Sequence, residues 1–111
     1  MWQPFDSGKT LSTTGSENGV ILIDEEHLLG ARITLERDTA IAPFAITCGI
    51  YGWMMHTRFF ADRTEAFAQL ESMKNALAEI LEAIPLESDP QKREKMHAVF
   101  EAIGAFVERY P

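Results

Sequence analysis

The stretch Pro43–Phe60, PFAITCGIYGWMMHTRFF, most constrains how this chain can fold. No other segment is so apolar, and its β-branched and aromatic residues suit the pleated surface of a sheet. Phe44, Ile46, Cys48 and Ile50 alternate with small or polar residues, which is the period of a β-strand. We therefore interpret the stretch as the central strand of a small sheet. Both faces of this strand are apolar, so we expect both to be covered.

The length of this stretch predicts an interruption. A straight strand of 18 residues would span about 60 Å at ~3.3 Å per residue, too long for so small a chain. Gly49 and Gly52 are the expected place of a break, because glycine inside a strand often marks a bulge or bend. A tight hairpin is disfavoured there, because Ile50 and Tyr51 would occupy positions of a primed turn that require positive φ. The prediction is a break in regular pairing within residues 49–52.

Two further strands precede this segment. Val20 to Asp24 follows an Asn-Gly turn, and Glu25-Glu26 is interpreted as the next turn. Residues from about Ala31 to Arg37 alternate between apolar and polar side chains, the pattern of a half-buried strand. The links between the three strands are too short for parallel crossovers. The sequence therefore predicts a three-stranded antiparallel meander.

Helical patterns replace the strands after Phe60. Asp62 is placed to cap a first helix that ends at Ile84, before Pro85. Asp89-Pro90 predicts a second helix start, with Asp as the N-cap and Pro at the first helical position. Each helix has one apolar stripe, formed by Phe67, Leu70, Met73, Leu77, Ile80, Leu81 and Ile84 in the first and by Met96, Val99, Phe100, Ile103, Phe106, Val107 and Tyr110 in the second.

Together these elements predict a single α+β domain over residues 1–111, in the order β-β-β-α-α. The two helices would form an αα-hairpin packed on one face of the sheet. Residues 1–18 are expected to be a loop-rich N-terminal segment that Trp2 and Phe5 anchor to the body of the domain.

Composition narrows the classes of function. The net charge of −7 argues against nucleic acid and anionic membrane as partners, because both require a positive patch. A single cysteine, Cys48, cannot form an internal disulfide, and the N-terminus lacks the features of a signal peptide. We therefore expect a cytoplasmic setting. No motif indicates a cofactor, and we expect Cys48 to be buried and inert.

One cluster of residues suggests metal chemistry. Asp24, Glu25, Glu26 and His27 place three carboxylates beside an imidazole and could bind a divalent cation or supply an acid–base pair. Neighbouring residues of a strand point to opposite faces, however, so these groups converge only in a specific turn. An acidic surface turn is the ordinary alternative.

A second candidate site lies late in the central segment. His56 and Arg58 are two residues apart and share a strand face, where they could bind an anion. With Tyr51 and Trp53 they could line a ligand pocket between sheet and helices. The ordinary alternative is a hydrogen-bonded histidine beside an arginine whose side chain extends along the surface to water.

The apolar residues around Tyr51 suggest a third kind of site. Aromatic residues and methionine are enriched at the cores of protein interfaces. They could equally belong to the core beneath the helices. Because one helical layer leaves the other sheet face uncovered, we predict a homodimer that buries this surface. The predicted interface contains at least two of Ile21, Ile50, Tyr51, Trp53, Met54 and Met55.

Three functions remain open at the level of sequence. The first is a homo-oligomeric binding or regulatory module without catalytic activity. The second is a small-ligand-binding protein, or an enzyme, with the pocket described above. The third is an acidic, inhibitor-like partner of a basic protein, which only the net charge suggests.

Overall fold

The structure, a computed structural model that describes residues 1–111, contains one five-stranded antiparallel sheet and two helices. The sheet order follows the chain order, so the strands form a meander. The elements are β1 (Trp2–Pro4), a 3₁₀ turn (Phe5–Gly8), β2 (Val20–His27), β3 (Ala31–Arg37), β4 (Phe44–Ile50), β5 (Met54–Phe60), α1 (Arg63–Ala83) and α2 (Lys92–Arg109). The α+β class is confirmed, whereas the predicted count of three strands is wrong.

The predicted central strand is in fact the β-hairpin formed by β4 and β5. Pairing stops after Ile50↔Met54, and the backbone N–H of Trp53 donates to the carbonyl of Ile50 at 2.9 Å. The interruption thus begins inside the predicted interval, but the hairpin that we disfavoured is what forms. Its loop has three residues instead of two, and it requires positive φ only at Gly52 (φ 81°). The conformational objection to Ile50 and Tyr51 therefore does not apply.

The N-terminal segment contributes the other missed strand. β1 pairs antiparallel with the end of β2, with Trp2 opposite His27. The sequence does not reveal β1, because a strand of three residues that include Pro4 is too short to show alternation. β2 in turn continues to His27, past the turn that we placed at Glu25-Glu26. The chain reverses instead at Gly30, whose φ is 112° and whose N–H donates to the carbonyl of His27 at 2.9 Å.

The helix boundaries follow local hydrogen bonding. The Asp62 carboxylate accepts the N–H of Glu65 at 3.1 Å and caps α1, as predicted. α2 begins at Lys92, later than predicted. The reason is that Asp89 accepts the N–H of Gln91, only two residues ahead, at 2.8 Å and closes a turn before the helix starts.

Both helices pack on one face of the sheet. This helix-covered face carries the core residues of the central strands, namely Ala31, Ile33, Leu35, Ile46, Cys48, Ile50 and Phe60. The alternate residues form the second face, which has no helix: Asp24, Glu26, Arg32, Thr34, Glu36, Ala45, Thr47, Gly49, Met55, Thr57 and Phe59. On this second face residues 5–19 cover the β2–β3 half. In the β4–β5 half Ala45 is buried but Met55 and Phe59 are exposed, and we call this the uncovered half.

Candidate binding groove on the second face of the sheet

A groove of about 740 Å³ lies on the second face of the sheet. One wall is the N-terminal loop from Thr10 to Ser16, and the other is the β4–β5 hairpin from Tyr51 to Met55. Most of its polar groups are hydroxyls, from Thr10, Thr13, Thr14, Ser16, Thr34 and Thr47; its apolar groups include Ile21, Trp53, Met54 and Met55. The groove therefore suits a ligand that is mainly apolar and that can also hydrogen-bond to hydroxyl groups.

A buried carboxylate, that of Asp24, fixes the loop wall to the sheet. Its two oxygens accept hydrogen bonds from Arg32 Nε (2.9 Å) and Nη2 (2.7 Å), from Thr10 Oγ1 (2.8 Å) and from Thr34 Oγ1 (3.2 Å). Burial alone would raise the pKa of Asp24, but the Arg32 guanidinium and the two hydroxyls hold that pKa below its ordinary 3.8. Phe5 stacks on the Arg32 guanidinium at 3.6 Å and covers the ion pair.

A second buried carboxylate, that of Glu36, holds the far end of the same loop. It accepts the backbone N–H groups of Gly19 (3.0 Å) and Glu17 (3.2 and 3.3 Å). The loop comes so close that a Cβ atom at Gly15 would lie 2.3 Å from the Glu36 carboxyl carbon. The loop wall is therefore built on two acidic side chains that the strand pattern places at polar positions.

The hairpin wall is fixed by one hydrogen bond and one aromatic contact. Tyr51 donates its hydroxyl proton to the Glu26 carboxylate at 2.6 Å. Burial, then the bond to Glu26 and its negative charge, raises the pKa of Tyr51 to about 12. Trp53 packs on Phe100 of α2, with ring centroids 5.1 Å apart. The tip of the hairpin is thus tied to β2 on one side and to α2 on the other.

The four residues of the predicted ligand pocket do not meet in one site. Tyr51 and Trp53 line the groove, whereas His56 and Arg58 point to the helix-covered face. There the His56 ring donates to the carbonyl of Tyr110, which can only accept a hydrogen bond. Arg58 donates to Gln69 Oε1 at 2.9 Å and to the Pro111 carbonyl at 3.2 Å. Both side chains therefore hold the end of α2 against β5.

The predicted metal residues lie on a regular strand, so they alternate between faces. Glu25 forms an ion pair with Lys74 of α1, while Glu26 binds Tyr51 on the second face. His27 is buried, its Nδ1 accepts the N–H of Leu29 at 3.1 Å, and burial together with the nearby N-terminal charge lowers its pKa. No three acidic, histidine or cysteine side chains in the structure form a group that could hold a metal ion.

The predicted interface residues fall into two groups. Ile21 and Ile50 are buried within the chain, whereas Trp53 and Met54 are half-buried and Tyr51 and Met55 are exposed. The surface that remains for a partner is therefore centred on the hairpin and β5. Cys48 lies in the core, where burial raises the pKa of its thiol to about 12.

The sequence reasoning missed the loop wall of the groove. Thr10 to Ser16 have ordinary turn composition, and Arg32, Thr34 and Glu36 occupy the polar side of a strand pattern that is typical of a solvent-facing surface. Gly15 and Gly19 were the available indication, because glycine permits the close approach of backbone to another chain segment. A strand with a polar face and a neighbouring glycine-rich loop can bury that face by hydrogen bonding.

Comparison with protein-family models, with curated proteins and with solved structures finds no match for this chain. Neither α1 nor α2 contains an apolar stretch of the length that crossing a membrane requires. The chemistry of the residues themselves is therefore the basis for a functional proposal.

Proposed function

We propose that this protein is a homo-oligomeric binding or regulatory module without catalytic activity, working in the cytoplasm. The observation that carries the proposal is the apolar surface beside the uncovered half of the sheet. Tyr51, Met55 and Phe59 are 53%, 78% and 42% exposed, and all three lie on the hairpin or on β5. Exposed apolar groups gathered in one region of a surface commonly mark an interaction site.

The state of the ionisable groups supports a binding role in preference to catalysis. Around the groove, Asp24 is saturated by hydrogen bonds, and Tyr51 is held protonated beside Glu26. The Cys48 thiol is also protonated at neutral pH because its pKa is about 12. A general base or a nucleophile needs a free and reactive form near neutral pH, and these groups do not provide one.

The direct test is the mass of the protein in solution. Sedimentation equilibrium at micromolar concentration is expected to give twice the chain mass of 12.5 kDa. A stable, specific dimer should bury more than about 1,200 Å² in total. A mass equal to that of one chain across the micromolar range would contradict self-association.

The groove itself favours a second candidate function, the binding of a small, mainly apolar ligand. Its volume of about 740 Å³ falls in the usual range of ligand sites, roughly 300–1,000 Å³. Thr47→Phe should fill the floor of the groove and abolish such binding, whereas Ile41→Phe, on an exposed loop, should not. NMR shift changes of Thr34, a lining residue that both variants keep, on addition of candidate ligands distinguish the two variants.

A further inference from the structure

The two edges of the sheet are protected to very different degrees. β1 forms one edge with three residues, includes Pro4, and is followed at once by a 3₁₀ turn. β5 forms the other edge with seven residues, MMHTRFF, and pairs with β4 in unbroken register. Charged side chains, proline and bulges keep an edge strand from pairing. β5 has no proline, lysine, carboxylate or bulge, and its one permanently charged side chain, that of Arg58, is engaged with Gln69 and Pro111.

The outer backbone groups of β5 have no partner within the chain. Apart from its ladder with β4, the segment Met54–Phe60 takes part in no backbone hydrogen bond. Alternate residues of an edge strand direct their N–H and C=O groups outwards. β5 therefore presents a ready template for one more strand.

The side chains of β5 are complementary to a second copy of β5. In an antiparallel pair centred on Thr57, Met55 of each copy lies opposite Phe59 of the other, and Thr57 lies opposite itself. All three are on the second face, where Thr57 already contacts Thr47 with 3.3 Å between the hydroxyl oxygens. Apolar pairs and threonine pairs across strands both stabilise a sheet.

The charge distribution favours a meeting of two copies at this edge. Each chain carries a net charge of −7, so two copies repel each other unless they meet at a surface without acidic residues. Between Asp38 and Asp62, however, the chain has no acidic residue. β5 lies within this interval and carries only His56 and Arg58 as groups that can be positive.

Helix α2 adds exposed apolar surface next to the β4–β5 hairpin. Trp53 contacts Phe100, and His56 contacts Phe106, so α2 runs alongside β5. Ala102 and Phe106 face α1, and at ~100° per residue Phe100 and Val107 lie on the opposite flank of the helix. Phe100 and Val107 are both exposed. Phe100 is in contact with Trp53 of the β4–β5 loop, so this apolar surface continues that of the hairpin.

We infer that two copies of this chain pair antiparallel through their β5 edges, about a two-fold axis at Thr57. The two five-stranded sheets then form one continuous sheet of ten strands. This inference rests on the homo-oligomeric function proposed above and names the interface that produces it.

A register-specific crosslink tests this interface. Thr57→Cys places two thiols opposite each other at the two-fold axis, at a distance that a disulfide can span. Mild oxidation at micromolar concentration is expected to convert this variant into a disulfide-linked dimer. The wild type serves as a control, since its only thiol, Cys48, is buried, and Ile41→Cys, at an exposed position in the β3–β4 loop, controls for random collision. Neither control should crosslink.

Met55→Lys tests the same edge without a covalent bond. Met55 is 78% exposed, so the substitution leaves the fold of one chain intact. It should raise the dissociation constant of the dimer about tenfold or more, because each dimer contains the altered pair twice. Leu86→Lys, at a site 76% exposed in the turn between the helices, should not change the dissociation constant.

The outcomes separate the inference from the function on which it rests. A wild-type dimer that neither crosslinks through Thr57→Cys nor weakens with Met55→Lys would overturn the β5 interface and leave self-association in place. A wild-type monomer would overturn both. A monomer whose β5 amide signals shift only on addition of an extended peptide would assign the edge to another protein's strand, and would overturn the pairing of copies.

Discussion

The two halves of the second sheet face differ in how far they are covered by the rest of the chain. Over β2 and β3, residues 5–19 cover two carboxylates. These accept hydrogen bonds from Arg32 and Thr34 of β3 and from Thr10 and backbone N–H groups of the loop. Over β4 and β5 the cover is incomplete: Ala45 is buried, but Met55 and Phe59 are exposed. The polar half, on β2 and β3, is therefore buried, and the more apolar half, on β4 and β5, is the more exposed one. Coverage of a face therefore follows from which groups have partners, and hydrophobicity alone does not decide it.

The largest expected difference between the halves is the effect of removing Asp24. Asp24→Ala deprives Arg32, Thr10 and Thr34 of their common acceptor. We expect the free energy of unfolding to fall by about 3 kcal/mol, the lower part of the range for breaking a buried ion pair, because Arg32 is partly exposed. Denaturant melts measure the loss. Glu87→Ala, which breaks an exposed ion pair with Lys92, is the control and should cost less than ~0.5 kcal/mol. A loss as small as that of the control would show that the loop is held without Asp24.

Gly19→Ala tests how closely the loop packs on the sheet. A Cβ atom there would lie 2.5 Å from the backbone carbonyl oxygen of Arg37, which cannot move aside as a flexible side chain can. We expect a loss of about 2 kcal/mol in thermal or denaturant melts. Gly104→Ala, on α2 with no atom near its Cβ position, should instead stabilise the protein by up to ~1 kcal/mol. Equal effects at the two glycines would contradict the tight packing of the loop.

The low pKa of Asp24 predicts a dependence of stability on pH. The folded protein holds this pKa below 3.8, so the unfolded chain takes up the proton first as the pH falls. The stability that ionised Asp24 contributes is therefore complete above about pH 5 and is lost as the pH falls through the lower folded pKa. The difference in unfolding free energy between the wild type and Asp24→Asn should be constant from pH 7 to pH 5 and shrink below pH 3.8. A difference that grows on acidification would reverse the sign of the argument.

Much of the fold could be predicted from the sequence because periodic patterns report which residues are buried. The alternation in β3, the stripe of α1 and the Asp62 cap all depend on neighbours within a few residues. The number of strands was harder to predict from the sequence. The length of Pro43–Phe60 required a break, but whether the chain bends or reverses there depends on φ at Gly52, a single residue that tolerates both outcomes.

The candidate site was harder to predict because its parts come from distant segments. Thr10 and Asp24 are 14 residues apart, and Gly19 and Glu36 are 17 apart. No local pattern connects them. In Asp24–His27, by contrast, neighbouring residues suggested one site, and the strand distributed them to two faces with separate partners. Closeness along a strand is a poor guide to closeness in space.

The smallest expected effect within one chain, Met55→Ala, distinguishes the two halves most sharply. Met55 lies on the same sheet face as Asp24 but in the uncovered half. In a sample dilute enough to be monomeric, we expect the free energy of unfolding to change by less than ~0.5 kcal/mol, as for other surface substitutions. In a concentrated sample, dimerisation should stabilise the wild type by mass action, and the variant should gain less. Denaturant melts at both concentrations measure the difference.

Leu86→Ala, equally exposed but outside the sheet, should match the wild type at both concentrations. A loss above ~1 kcal/mol in the dilute sample would mean that the chain itself covers Met55, and the distinction between the two halves would then be wrong.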